Sequence, residues 1–124
     1  MSTQFLFWRT TKRLDSHKAY ERLMKGKTVR GLESLDLAQV ETSLIAAFSD
    51  WTVVVHRTPS IEQTMLEQVN GEGGLDIGYR PQSVTVTCYK TGEREWNRII
   101  DAMVSLKLPL YDPQVGQRFD SVGM

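Results

Sequence analysis

The feature that most constrains the fold is a pair of alternating apolar runs near the middle of the chain. In residues 75–79, and again in residues 84–88, every second residue is apolar. Successive side chains of a strand point to opposite faces, so each run predicts a strand with one buried face. The sequence Arg-Pro-Gln-Ser between them, residues 80–83, is typical of a turn. The two runs are therefore expected to form an antiparallel hairpin.

Two further strands are predicted, and one segment is ambiguous. Residues 4–9 contain four consecutive apolar side chains, so this strand is expected to be covered on both faces. Residues 51–57 are rich in β-branched side chains and indicate a buried strand. In residues 60–69, Ser60 and Gln63 are typical of a helix start, and an edge strand is the alternative. We favour a short helix there.

Three other helices are expected. The first covers residues 16–25, with Ser16 as its cap. The second begins at Asp36, the first residue of a capping-box pattern. The third begins at Thr91 or Gly92 and carries an apolar stripe at helical spacing.

These elements predict one α+β domain over residues 1–124. The expected order is β-α-α-β-(α)-β-β-α, with about four strands in a mostly antiparallel sheet and with helices packed on it. Pro109 and Pro113 prevent the last helix from continuing, so residues 107–124 are expected to form an extended C-terminal tail.

Cysteine content and hydropathy predict the compartment. A single cysteine among 124 residues excludes an internal disulfide. The N-terminus lacks the long apolar run and cleavage site of a signal peptide. No apolar stretch reaches the ~20 residues that a membrane helix needs. We therefore expect a cytosolic protein that does not interact with membranes.

Motifs that carry chemistry are incomplete in this chain. Residues 26–28, Gly-Lys-Thr, match the end of a phosphate-binding loop, but the glycine required five residues earlier is replaced by Glu21. Neither His17 nor His56 has another histidine or a cysteine at metal-ligand spacing. We expect no metal and no cofactor, and a binding protein rather than an enzyme.

One enzymatic alternative stays open. His56, Cys88 and Glu41 could meet in the fold and form a site. Cys88 is expected to be a core thiol, on the same strand face as its alternating neighbours. Glu41 falls among the apolar residues of its helix. It is expected to lean toward solvent, and if it is buried it needs a partner such as an arginine.

Charge is unevenly distributed along a chain that is neutral overall. Residues 1–31 hold eight basic and two acidic residues, whereas residues 32–79 hold one basic and eight acidic residues. Residues 80–124 are nearly balanced, with six basic and five acidic residues. A folded domain with this pattern can present surfaces of opposite sign, which steer charged partners.

Two charged segments are candidate binding surfaces. Between residues 60 and 79 there is no basic residue, and we predict a partner-binding surface there, formed by Glu62, Glu67, Glu72 and Asp76. In the first helix, three cations recur at helical spacing and form an alternative anion-binding stripe: Lys18, Arg22 and Lys25. Each set has a plainer interpretation as a solvated surface of the domain.

The C-terminal motif carries a resemblance to a known group. Residues 110–114, Leu-Tyr-Asp-Pro-Gln, are followed by Arg-Phe at residues 118–119. This pattern resembles the C-terminal signature of small bacterial immunity proteins for polymorphic toxins, of the contact-dependent inhibition type. The aromatic first strand and the amphipathic last helix are also similar to that group, whereas residues 58–75 match nothing in it.

The resemblance implies a non-enzymatic immunity protein that binds and neutralises a cognate toxin domain in the cytosol. If the toxin is a nuclease, its site must be basic, and the acidic surface would be the natural contact. The alternative is a nucleic-acid-binding or adaptor module that uses the basic stripe. Within the tail, Arg118 is expected to pair with Asp112, with Tyr111 and Phe119 packed beneath it.

Overall fold

The computed structural model describes residues 2–10 and 12–119. The helices in these residues are α1 Ser16–Met24, α2 Leu37–Ala47 and α3 Glu93–Ser105. The strands are β1 Ser2–Phe7, β2 Trp51–Val55, β3 Gln63–Gln68, β4 Gly74–Arg80, β5 Ser83–Tyr89, β6 Leu110–Asp112 and β7 Gln117–Phe119.

One sheet contains all seven strands, in the order β2-β3-β4-β5-β1-β6-β7, and every neighbouring pair is antiparallel. The predicted hairpin is confirmed: β4 and β5 pair from Arg80 opposite Ser83 to Gly74 opposite Tyr89. β1 lies between β5 and β6, far from its neighbour in sequence, β2. The first strand therefore sits inside the sheet and not at its edge.

The prediction of about four strands is wrong, although the chain is α+β. The four predicted strands correspond to β1, β2, β4 and β5, and the structure adds β3, β6 and β7. The last two lie in the predicted tail, where they form a hairpin that extends the sheet beyond β1. Residues 120–124 of that predicted tail lie outside the described residues.

The short helix favoured for residues 60–69 is also wrong, because Gln63–Gln68 is β3. This strand pairs with β2 on one side and β4 on the other, so its backbone groups find partners in both neighbours. The pairing also buries Thr64 and Leu66, which have no more than 1% of their surface exposed. Burial between two strands outweighs a local sequence pattern that fits a helix equally well.

Two cores lie on opposite faces of the sheet. The larger core contains Phe5 and Phe7 of β1, the apolar side chains of β4 and β5, and the inner faces of α2 and α3. The smaller core contains Leu6 and Trp8, which α1 covers together with Tyr111. The expectation that the first strand is covered on both faces is thus confirmed.

Helix starts follow the local sequence, with one exception. The carboxylate of Asp36 accepts from the amide of Gln39 across 3.1 Å, as the predicted cap of α2. α1 is capped by Asp15 and not by Ser16, since the Asp15 carboxylate accepts from the amide of Lys18 across 3.1 Å. Ser16 is instead the first residue of the helix.

Candidate functional site

The predicted acidic residues lie on β3, on β4 and in the turn that joins them. Glu67 is on the outward side of β3, and Glu72 is in the turn. Asp76 is on β4, where its carboxylate accepts from the side-chain amide of Gln63 across 2.7 Å. The Asp76 carboxylate is thus hydrogen-bonded to the neighbouring strand of the sheet.

Glu62 lies apart from the other predicted acidic residues, just before β3, at the end of that strand far from the turn. Its carboxylate lies 3.0 Å from Nε of Arg57, the only basic residue among residues 32–79. The structure therefore brings Glu67 and Glu72 together and separates Glu62 from them.

A groove of about 400 Å³ lies against the β3–β4 turn. Glu67 and Glu72 line it with Met65 and Tyr89, and Tyr89 is 44% exposed. Lys90 Nζ lies 3.0 Å from the Glu72 carboxylate. Both side chains of this ion pair are exposed, so a cation of a partner can compete with Lys90 at little cost.

The shape of this turn depends on Gln68. The backbone amide of Gln68 donates to the carbonyl of Gly73 across 2.9 Å. The side-chain oxygen of Gln68 accepts from the backbone amide of Gly73 across 3.3 Å. A Cβ at Gly71 would lie 2.4 Å from that side-chain oxygen, so glycine is required there while Gln68 keeps this position. The side chain of Gln68 thereby fixes the backbone that carries Glu72.

Tyr89 was missed in the sequence-based prediction of this surface. The alternation that buries Val84, Val86 and Cys88 places Thr85, Thr87 and Tyr89 on the opposite face of β5. This face belongs to the same side of the sheet as Glu67. The signal that could have found Tyr89 is therefore strand alternation across the hairpin.

The basic stripe lies on the exposed side of α1 and on its C-cap. Lys18, Arg22 and Lys25 are all exposed, and Arg22 donates to the carbonyl of Thr28 across 3.3 Å. Within residues 2–10 and 12–119, none of the three forms an ion pair with a carboxylate. The structure thus brings the three predicted cations together on one surface.

Glu41 is held in a hydrogen-bonded network and does not point freely to solvent. Its carboxylate accepts from the backbone amide of Arg57 across 2.9 Å and from the hydroxyl of Thr64 across 2.8 Å. The Thr64 hydroxyl in turn accepts from the phenol of Tyr79 across 2.9 Å. Because the Glu41 side chain is only 16% exposed, these donors compensate for the water it loses.

The three residues of the enzymatic alternative do not form one site. His56 Nδ1 lies 3.9 Å from the Glu41 carboxylate. Cys88 pairs with Leu75, at the other end of β4 from Tyr79 and the Glu41 network. Burial raises the pKa of the Cys88 thiol to about 12, which keeps it protonated and unreactive at neutral pH.

A second and larger groove, of about 810 Å³, lies between α3 and the β6–β7 hairpin. One wall is α3 and the other is formed by β1, β6 and β7. Its lining residues are Thr3, Phe5, Glu93, Trp96, Asn97, Ile100, Val104, Leu110, Asp112, Gln114 and Phe119. We call this the α3 groove. Sequence reasoning missed it because residues of β1 meet residues of α3 and of the tail that are far from them in the sequence.

Gln114 closes the edge of β1 at the end of this groove. Its side-chain oxygen accepts from the backbone amide of Gln4 across 2.8 Å, and its side-chain nitrogen donates to the Gln4 carbonyl across 2.8 Å. The Asp112 carboxylate accepts from both the backbone and the side-chain amide of Gln114. The side chain of Gln114 therefore makes the hydrogen bonds that a further strand would make with Gln4.

Tyr111 anchors the tail in the smaller core. Its ring is buried and lies between the rings of Trp8 and Tyr20, with centroid distances of 5.1 and 5.2 Å. Arg118 donates to the carbonyl of Trp8 across 3.1 Å, and its guanidinium lies over the Trp8 ring. Phe119 is 47% exposed and lines the α3 groove, so it does not pack beneath the tail as expected.

In the part of the chain that the structure describes, no three histidine, cysteine or acidic side chains gather where they could hold a metal ion. Nor is any helix among those residues both long and apolar enough to span a bilayer. Comparison of the sequence with models of known protein families and with curated proteins found no match in either case.

Proposed function

We propose that this domain is an immunity protein without enzymatic activity, which binds a cognate bacterial toxin domain in the cytosol and blocks its active site or substrate path. The observation that carries the proposal is the groove at the β3–β4 turn. There Glu67 and Glu72 lie beside the exposed ring of Tyr89. Tyrosine is enriched among the residues that dominate binding energy at protein interfaces.

Charge supports a basic target. Residues 32–79 carry eight acidic residues and one basic residue, and that basic residue, Arg57, is paired with Glu62 away from the groove. Nuclease domains bind a polyanion and need basic sites, which an acidic surface can cover. Complementary charge also raises the association rate of such a pair. A toxin with nuclease activity is therefore the target we favour.

The C-terminal resemblance points to the same function. Its tyrosine, Tyr111, packs in the smaller core and fixes the tail there. The motif therefore supports the proposal as a mark of the group and does not supply the contact surface. We place that surface mainly in residues 58–75, outside the resemblance, with Tyr89 of β5 beside it. Proteins with different targets are expected to differ there.

Co-expression with the toxin encoded immediately upstream tests the proposal. We expect the wild-type chain to protect the cells, and the double variant Glu67→Lys/Glu72→Lys to lose protection. A matched control, Glu21→Lys/Asp101→Lys, makes the same change in net charge at exposed positions outside the groove and should still protect. Cell death despite abundant folded wild-type protein would refute the immunity function. Protection by the double variant would refute the acidic contact.

A second candidate function rests on the exposed stripe of Lys18, Arg22 and Lys25. These cations face solvent without carboxylate partners among the described residues, as a surface that binds phosphates requires. A nucleic-acid-binding or adaptor module would bind labelled DNA or RNA with an affinity that falls as salt rises. Charge reversal at Lys18 and Lys25 should weaken that binding, and no binding at low salt would remove this candidate.

A further inference from the structure

α3 presents two apolar stripes, and the core covers only one of them completely. Ile99 and Met103 are fully buried against the sheet. Trp96, Ile100 and Val104 recur at intervals of four residues and line the α3 groove, and Trp96 and Ile100 also pack against the larger core. Residues four apart lie above one another on a helix, so these three form a continuous side wall. At 1.5 Å per residue, the wall is about 12 Å long.

The facing wall is also apolar. It consists of Phe5, Leu110 and Phe119, contributed by three strands of the same sheet, and only Phe119 of these is exposed. The ring of Phe5 contacts the ring of Trp96 edge-on, with 5.9 Å between their centroids, so the two walls meet there. Phe119 and Val104 remain 47% and 37% exposed, on opposite sides of the groove. Large exposed apolar side chains that face one another across a cleft are typical of binding grooves and not of an ordinary solvated surface.

The charges in the groove have a single sign. Glu93 and Asp112 are its only charged lining residues, and no lysine, arginine or histidine stands among the eleven described residues that line it. Neither carboxylate forms an ion pair with another described residue. A ligand that fills the groove is therefore favoured if it brings a positive charge to one of them.

The backbone of β1 offers no place for an added strand at Gln4. Gln114 already satisfies both the amide and the carbonyl of Gln4 on that edge. An occupant that lies against β1 must then satisfy its own backbone hydrogen bonds, as an α-helix does. A helix also suits a wall that is itself a helix with apolar residues four apart, because such surfaces interlock.

We infer that the α3 groove binds an amphipathic helix of a partner protein. The helix packs two or three bulky apolar side chains between α3 and the β6–β7 hairpin and places a lysine or arginine against Glu93 or Asp112. This inference does not depend on the proposed immunity function. The acidic groove at the β3–β4 turn lies elsewhere on the sheet, with β5 and β1 between the two hairpins.

A displayed library of helical peptides tests the inference. The peptides, of about 16 residues so that they can form helices, share an apolar stripe and have randomised flanking positions. We expect selection on the full-length protein to enrich lysine or arginine at these flanking positions. Labelled peptides should then bind in fluorescence anisotropy. Val104→Glu should weaken their binding at least about tenfold, and Glu93→Gln should weaken it less.

The matched control is Val54→Glu, at a valine that is 50% exposed on β2 and outside the groove. The Val54→Glu variant should bind the peptides with the same affinity as the wild type. Tryptophan emission gives an independent readout, because Trp96 lines the groove whereas Trp8 and Trp51 are buried. Peptide binding should shift the emission to shorter wavelength, and Trp96→Phe should abolish this shift.

Three outcomes would overturn the inference. The first is that no selected peptide distinguishes Val104→Glu from Val54→Glu. The second is enrichment of acidic flanking residues, which would contradict the charge argument. The third is self-association of the protein that Val104→Glu abolishes, since the occupant would then be a second copy of the chain.

Discussion

The hydroxyl of Thr64 donates to the carboxylate of Glu41 across 2.8 Å and so connects β3 to α2. Thr64 is fully buried, and the same hydroxyl accepts from Tyr79. One oxygen atom therefore satisfies a donor from β4 and supplies a donor to α2. Because Glu41 also accepts from the Arg57 amide, the network fixes the chain just after β2 as well.

Replacing Thr64 with valine should destabilise the domain by about 1–3 kcal/mol. The change preserves the shape of the side chain but leaves the Tyr79 phenol without its acceptor and the Glu41 carboxylate with one donor fewer. Tyr79→Phe should cost less, because it removes a donor and leaves the contact between Thr64 and Glu41 intact. Urea unfolding measures both free energies.

Thr52→Val is the control for this prediction, since Thr52 lies exposed on neighbouring β2. Its effect should stay within about 0.5 kcal/mol. If Thr64→Val is as stable as this control, the network does not contribute to stability. If Tyr79→Phe is the more damaging variant, packing of the ring and not the shared hydroxyl dominates.

Sequence reasoning succeeded where neighbouring residues decide the structure. The start of α2 depends on Asp36 and Gln39, three residues apart, and the β4–β5 hairpin depends on alternation over fourteen or so residues. β3 was missed because residues 60–69 fit a helix and a strand equally well until β2 and β4 provide partners. β6 and β7 have three residues each, too few to show a period.

The candidate sites also differ in how far local sequence patterns predict them. The residues of the basic stripe lie on one helix and its C-cap, so helical spacing alone predicts that they share a surface. Glu62 and Glu67 lie on one segment, but the sequence does not reveal that Arg57 pairs with Glu62 and not with Glu67. The α3 groove joins residues about a hundred positions apart, and no local pattern predicts it.

Stability should fall as the solution becomes alkaline. Burial raises the pKa of Cys88 from 9.0 to about 12 and that of Tyr79 from 10.0 to about 12. At a pH between the ordinary and the raised pKa of each group, the unfolded chain binds fewer protons than the folded one. The free energy of unfolding therefore decreases with rising pH in this range. This contribution is fully present below about pH 9 and is lost as the pH approaches about 12.

Urea unfolding at several pH values checks this expectation, with Cys88→Ala as the informative variant. The variant starts from a lower stability, and its decrease between about pH 9 and about pH 10 should be shallower than that of the wild type. The slope, and not the absolute stability, is the test. Equal slopes would mean that the thiol does not retain its proton in the folded state.

Tyr111→Ala should destabilise the domain by about 3–5 kcal/mol, the usual effect of removing a buried aromatic side chain. Tyr111 is 1% exposed and packs against the rings of Trp8 and Tyr20, so its removal leaves a cavity in the smaller core. Phe119→Ala removes an aromatic ring from the same hairpin at an exposed position and should cost much less. Comparable losses in urea unfolding would show that the tail is held along its whole hairpin.

Arg98 joins the end of α2 to α3, and its loss should reduce stability by about 1–3 kcal/mol. Its Nε donates to the carbonyl of Ala47 across 3.0 Å, Nη2 donates to Asp50 across 2.6 Å, and the guanidinium lies 4.3 Å from the centre of the Phe48 ring. Arg98→Met keeps the apolar stem and removes all three contacts. Arg98→Lys should recover only part of the loss, because an ammonium group cannot reproduce the planar geometry.

The dependence of stability on pH distinguishes the parts of this contact. The hydrogen bond from Arg98 lowers the pKa of Asp50 below 3.8, so the stabilisation from this pair is present above that pH and is lost as the pH falls further. In Arg98→Met the acid decrease in unfolding free energy should be shallower. Asp50→Asn should flatten the same decrease while keeping most of the stability at neutral pH, because the bond to Ala47 remains. A large loss of stability in Asp50→Asn at neutral pH would mean that the exposed ion pair between Arg98 and Asp50 holds α2 to α3, and not the hydrogen bond from Arg98 to the Ala47 carbonyl.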